Sequence, residues 1–95
     1  MDRVIRKRIR FHGLVQGVGF RYRARHAASA AGATGWVRND LGGTVSMEIQ
    51  GTEAQIDQVI GMIERGTYVR IESMEEKRIP VDEGERGFRT LDSRW

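Results

Sequence analysis

The residues of this chain that could do chemistry are few and sit in two short runs. Gln16-Gly17-Val18-Gly19-Phe20-Arg21 places two glycines and an arginine where an alternating apolar segment gives way to a helical pattern. Glycines let successive backbone N–H groups turn inward as an anion nest, and a following helix adds unpaired amides and the positive end of its dipole. Arg21, at the start of that helix, can reach back over the nest with a forked guanidinium. Together these parts would hold one phosphoryl group. They describe equally well a tight strand-to-helix turn with an exposed Arg. The second run is Asn39-Asp40-Leu41-Gly42-Gly43. Asn ahead of Asp is ordinary turn chemistry, yet a carboxamide beside an anion site can also accept from water and orient it without adding charge. A carboxylate in that place would repel a phosphate dianion.

Other chemistries lack their residues. No G-x-x-x-x-G-K-[ST] run is present, so a nucleotide P-loop is excluded. Gly17 and Gly19 match the first two glycines of the dinucleotide fingerprint, but Tyr22 stands where the third Gly or Ala belongs. The chain holds no Cys, and its two histidines, His12 and His26, have no metal-ligand spacing. Neither a metal nor a cofactor is expected. Ser29, Ser46, Ser73 and Ser93 lack a nearby base signature, which leaves nucleophilic catalysis without a candidate.

Ninety-five residues, 39% hydrophobic and 31% charged, suit one domain, spanning 1–95, with one modest core. No apolar run is long enough for a membrane, and the start of the chain lacks a signal-peptide block, so a reducing cytoplasm is the expected compartment. Charge is uneven. Residues 1–38 carry nine Lys/Arg against one acid, whereas the remainder carries seven against twelve. Guanidinium forks favour oxyanions, so the basic half is expected to meet an anionic partner, although any single Arg can simply solvate a sheet face.

The elements that must position these residues follow from periodicity. From Val4 to Val15, Ile5, Ile9, Phe11 and Val15 share one face, broken by Lys7, while Arg6, Arg8, Arg10 and His12 point the other way as a solvated basic stripe. Phe20, Ala24, Ala27, Ala28 and Ala31 fall at helical spacing and Gly32 supplies a stop. A second strand covers Gly35 to Arg38, with Trp36 and Val37 read as core. A third covers Thr44 to Gln50, with Val45, Met47 and Ile49 inward. Thr52 with Gln55 forms a capping box, and Ile56, Val59, Ile60 and Ile63 stripe a second helix ending at Gly66. Gly61 inside it is unfavourable by about 1 kcal/mol, with close packing on the sheet as a candidate reason. A fourth strand, bulged, runs from Val69 to Ile79, and a short last strand surrounds Phe88 to Leu91. The order is βαββαβ with an added edge strand, an α+β sandwich with both helices on one sheet face. Because a helical crossover makes the second strand parallel to the first, the glycine loop and Asn39 should meet at one sheet edge.

At this point the sequence resembles a family. Val15-Gln16-Gly17-Val18-Gly19-Phe20-Arg21 is similar to the phosphate-binding signature of acylphosphatases. Gly35-Trp36-Val37-Arg38-Asn39, followed by Gly42-Gly43-Thr44-Val45 and Gln50-Gly51, resembles their second signature. The likeness implies a ferredoxin-like plait that hydrolyses the carboxyl–phosphate bond of small acyl phosphates without a metal. It implies that Arg21 and the loop amides of Gln16, Gly17, Val18, Gly19 and Phe20 bind the phosphate, and that Asn39 positions the attacking water. Inorganic phosphate or sulfate would then compete, and a monomer is expected. Gly66-Thr67 replaces the Gly-Pro often found after the second helix, a turn far from the site. Asp40 sets an acid beside Asn39 and is expected to slow anion access slightly. Two other readings are weaker. An RNA-binding module shares the topology, but Phe11 alternates inward and Ser46, Glu48 and Gln50 take the exposed positions where base-stacking aromatics are needed. A phosphate-binding regulatory domain, as in larger hydrogenase-maturation proteins, would want zinc-finger cysteines and further domains.

Overall fold

The alternating residues from Ile5 to Phe11 form an interior strand, and the other elements assemble on either side of it. In the computed structural model, which describes residues 2–92, the chain runs β1 (Val4–Leu14), α1 (Phe20–Ala31), β2 (Thr34–Asn39), β3 (Val45–Thr52), α2 (Glu53–Glu64), β4 (Arg70–Ile79) and β5 (Phe88–Thr90). One five-stranded sheet results, in the order β4-β1-β3-β2-β5. β1 is antiparallel to β3 and β4, and β3 is antiparallel to β2, while β5 joins β2 in parallel. This is a ferredoxin-like plait with an extra terminal strand. The expected bulge falls at Glu72, which has no partner where the β1–β4 register shifts between His12 and Gly13. Among the described residues no helix is long and apolar enough to cross a membrane.

A single core cluster joins Ile5, Ile9, Phe11, Val37, Val45, Met47 and Ile49 of the sheet to both helices, so α1 and α2 cover the same face. Ala24, Ala27 and Ala28 give α1 a small contact surface, and α2 fills the remaining space with Ile56, Val59, Ile60 and Ile63. Burial of each such isoleucine contributes about 2 kcal/mol. The capping box forms as expected: Gln55 N donates to Thr52 Oγ1 at 3.1 Å, and Thr52 N donates to Gln55 Oε1 at 2.8 Å. Gln55 Nε2 also donates to Ala31 O at 2.9 Å, tying the start of α2 to the end of α1.

The open face departs from the sequence reading in two places. Trp36 is not core. Val37 is fully buried, so its neighbour in the alternating strand must face the other side, where Trp36 lies half-buried under the Arg38 guanidinium, 5.2 Å from the ring centroid. Arg6, read as part of a solvated stripe, is only 4% exposed. β4 and β5 occupy opposite sheet edges, so the segment between them must cross the open face. Glu85 of that segment accepts from Arg6 Nη1 at 2.6 Å and from Nη2 at 3.1 Å. Glu48 accepts from Arg6 Nε and Nη2, and Gln50 exchanges two hydrogen bonds with the backbone of Asp82. The hydrogen bonds that Arg6 donates to Glu85, joined by those to Glu48 and opposed by burial, raise the Arg6 pKa above its ordinary value.

Two glycines test the packing in opposite directions. A Cβ on Gly35 (φ +142°) would lie 1.9 Å from Glu48 O, so only glycine lets β2 and β3 pair there. Gly61 owes nothing to close packing, since a Cβ there would meet no atom within 4 Å. Gly61→Ala is therefore expected to raise the unfolding free energy by about 1 kcal/mol, and Gly35→Ala to lower it by about 3 kcal/mol, both read from urea midpoints.

Candidate active site

β1 and β2 run in the same direction because both are antiparallel to the strand between them. Their C-terminal ends therefore open at one sheet edge, and the loop after β1 meets the end of β2 there. A cavity of about 190 Å³ at this edge is lined by Val15, Gly17, Gly19, Phe20, Arg21, Tyr22 and Asn39. The fold thus brings Gly17, Gly19, Phe20, Arg21 and Asn39 to one wall. Val18 instead packs against the core, and Gln16 turns aside. Tyr22 is an addition that the motifs did not announce.

The loop is held at both ends and open in the middle. Val15 is 1% exposed, and Phe20 lies edge-on to Phe11 in the core at 4.9 Å between ring centroids. Gly17 and Gly19 have φ of 72° and 80°, a region that costs other residues about 1–2 kcal/mol. Gly19 starts α1 with no side-chain cap and no acid in the first turn, and the first helical bond is Arg23 N to Gly19 O at 3.0 Å. Among the described residues, the backbone N–H groups from Gly17 to Tyr22 find no protein acceptor. Amides in that state bind water or an anion, and the helix dipole favours the anion. A cavity of the same volume at the other end of β1 has the acids Asp2 and Glu53 among its lining residues, beside Arg3 and Arg78.

Arg21 is steadied from the far end of the chain. Its Nη1 donates to Leu91 O at 3.1 Å, and Leu91 N donates to Val37 O at 2.8 Å. Arg23, two residues on, turns the other way and donates twice to Met62 O on α2. Gln16 joins the two halves of the site: its Nε2 donates to Asp40 O at 2.7 Å and to Thr44 O at 2.8 Å. Nothing in the sequence pattern signals either contact, because both acceptors are main-chain carbonyls. Among the described residues no protein hydrogen bond occupies the Asn39 carboxamide.

Asp40 does not sit where its sequence position suggested. Asn39 lines the cavity, so its neighbour falls on the open face. There the Asp40 carboxylate accepts from Ser46 Oγ at 2.6 Å, Thr44 Oγ1 at 2.9 Å and Arg38 Nε at 3.2 Å, with Arg10 Nε 4.0 Å away. It organises the β2–β3 turn. The same contacts engage Arg38 and Arg10, while Glu48 holds Arg6 and Arg8, so the basic stripe is largely paired within the chain. His12 pairs with Glu75 at 2.5 Å, and this hydrogen bond, aided by its charge, lowers the Glu75 pKa. No cluster of three or more His, Asp or Glu able to hold a metal occurs among the described residues.

A plait of this topology sets Arg21 and a loop with unpaired amides beside the end of β2, an arrangement that favours an anion. Residues 7–90 match the acylphosphatase family, and the chain belongs to that family of acyl phosphate hydrolases. Over 80 residues it is 41% identical to an acylphosphatase of Geobacillus kaustophilus, covering 83% of this chain and 85% of that protein. Its fold is similar to the crystal structure of acylphosphatase from Bacillus subtilis, with a TM-score of 0.82 and 27% identity over 92% of this chain and 98% of that one. It is also similar to part of full-length HypF in its phosphate- and nucleotide-bound form, with a TM-score of 0.84 and 25% identity over 98% of this chain but 12% of that one.

The Asp40 network carries its own test. Removing the carboxylate strands two hydroxyl donors and part of a guanidinium, so Asp40→Ala is expected to lower the unfolding free energy by about 2 kcal/mol in a urea titration.

Proposed function

We propose that this chain hydrolyses the carboxyl–phosphate anhydride of small acyl phosphates by direct attack of water. Arg21 and the amides from Gln16 to Phe20 hold the phosphoryl oxygens, and Asn39 orients the nucleophilic water. The observation that carries this reading is that Gly17, Gly19 and Phe20, whose amides find no protein acceptor, line one cavity with Arg21 and Asn39. Family membership supports the reaction class, and the phosphate in the HypF structure supports an oxyanion as the ligand.

So lean a site suits this reaction. The carboxylate leaving group of a mixed anhydride is already stable, so no acid is needed to protonate it. What remains is positioning and stabilisation of charge on the equatorial oxygens. Fixed amides and a tethered guanidinium supply that charge stabilisation with little reorganisation. The proton of the attacking water passes to a phosphate oxygen of the substrate itself, since no side-chain base lines the cavity. Inorganic phosphate and sulfate carry the same oxygens and compete for the same donors.

Three variants separate the roles. Arg21→Gln is expected to lower kcat/KM for a synthetic acyl phosphate by about 10³-fold, the scale of a lost transition-state donor. Arg21→Lys should fail almost as badly, because an ammonium lacks the forked contact. Asn39→Ala should lower kcat by about 10²-fold while the inhibition constant for phosphate stays within about twofold, because holding the anion and placing the water are separate tasks. Turnover in wild type should persist in EDTA, with a phosphate monoester left intact. An Asn39→Ala enzyme with wild-type kcat removes Asn39 from the mechanism.

A further inference from the structure

The phosphate cavity has a neighbour. A second cavity, of about 260 Å³, is lined by Arg21, Tyr22, Arg25 and Thr90, and it shares Arg21 and Tyr22 with the first. A phosphoryl group held at the loop would therefore leave the rest of its substrate facing this second space. The three arginines near the start of α1 divide here. Arg21 is held by Leu91 O, Arg23 is turned to Met62 O on α2, and Arg25 is exposed. Among the described residues Arg25 has no acid within ion-pair distance and no hydrogen-bond partner. α1 contains no acid, and Asp92, the acid nearest to Thr90 in the chain, lines neither cavity. A cation so placed, in a chain whose other face is largely paired internally, is available to a ligand.

We infer that this second cavity receives the acyl portion of the substrate and selects acyl groups that carry an oxyanion of their own, with Arg25 as the specificity-determining residue. The inference rests on the phosphate site proposed above. Geometry sets the reach. Arg21 and Arg25 are one helical turn apart, an axial separation of about 6 Å. An extended four-carbon acyl chain puts its terminal carboxylate about 6 Å from phosphorus, so the spacing of its two anions matches the spacing of the two arginines along α1. Tyr22, 68% exposed and braced against His26 at 4.3 Å, walls both cavities and offers an apolar surface to the intervening methylenes. Thr90, which also lines this cavity, carries a hydroxyl able to donate.

The test compares succinyl phosphate with butyryl phosphate, its neutral counterpart of equal chain length, in wild type, Arg25→Gln and Arg25→Lys. Wild type is expected to favour succinyl phosphate by about tenfold in kcat/KM at low ionic strength, with the ratio shrinking as salt rises. Arg25→Gln should cut the succinyl-to-butyryl ratio by about five- to tenfold, and Arg25→Lys should restore most of it. A ratio that Arg25→Gln leaves unmoved, with both substrates still turned over, removes the acyl subsite and leaves the phosphate site standing. Failure of wild type to hydrolyse either compound overturns both.

Discussion

Everything about the site depends on one strand separating two others. β3 lies between β1 and β2 and runs against both, so the two flanking strands end side by side, about 10 Å apart at ordinary strand spacing. Adjacent strands would leave no room for a ligand between their loops. Two spacings leave a gap with one loop on each side, and Gln16 spans part of it by donating to two carbonyls of the β2–β3 turn. Gly17, Gly19 and Asn39 thus line a common space while Gln16 joins the two loops.

The charged side chains support that space from a distance. Arg6, buried on the open face and gripped by Glu85 and Glu48, pins the segment that crosses from β4 to β5. That crossing delivers β5 to the far edge, where Leu91 bonds to Val37 and offers its carbonyl to Arg21. The same stretch of chain thus contacts a buried arginine on one face of the sheet and the guanidinium at the cavity. The cavity where β1 and β2 end thus combines a tethered guanidinium with unpaired N–H groups.

Much of this was legible in the residues. The phases of β1 and β3, the Thr52–Gln55 box and the meeting of the glycine loop with Asn39 all follow from periodicity and crossover geometry. Trp36 and Val37 are both apolar and adjacent in a short strand, and composition alone cannot say which one faces inward. The burial of Arg6 is not legible in the residues because its partner Glu85 lies 79 positions away, on a segment whose path only the sheet order reveals. Asp40 was read by its proximity to Asn39 along the chain, whereas strand alternation sends it to the opposite face. The Gln16 and Arg21 tethers end on main-chain carbonyls, which leave no trace in residue type.

Backbone amide chemical shifts during a titration with inorganic phosphate show where the molecule holds an oxyanion. The largest changes are expected on the amides from Gly17 to Tyr22, accompanied by the Asn39 side-chain amide, saturating together at a single affinity. Changes centred on Arg3 and Arg78 at the other end of β1, or none above those of a matched chloride titration, would contradict it.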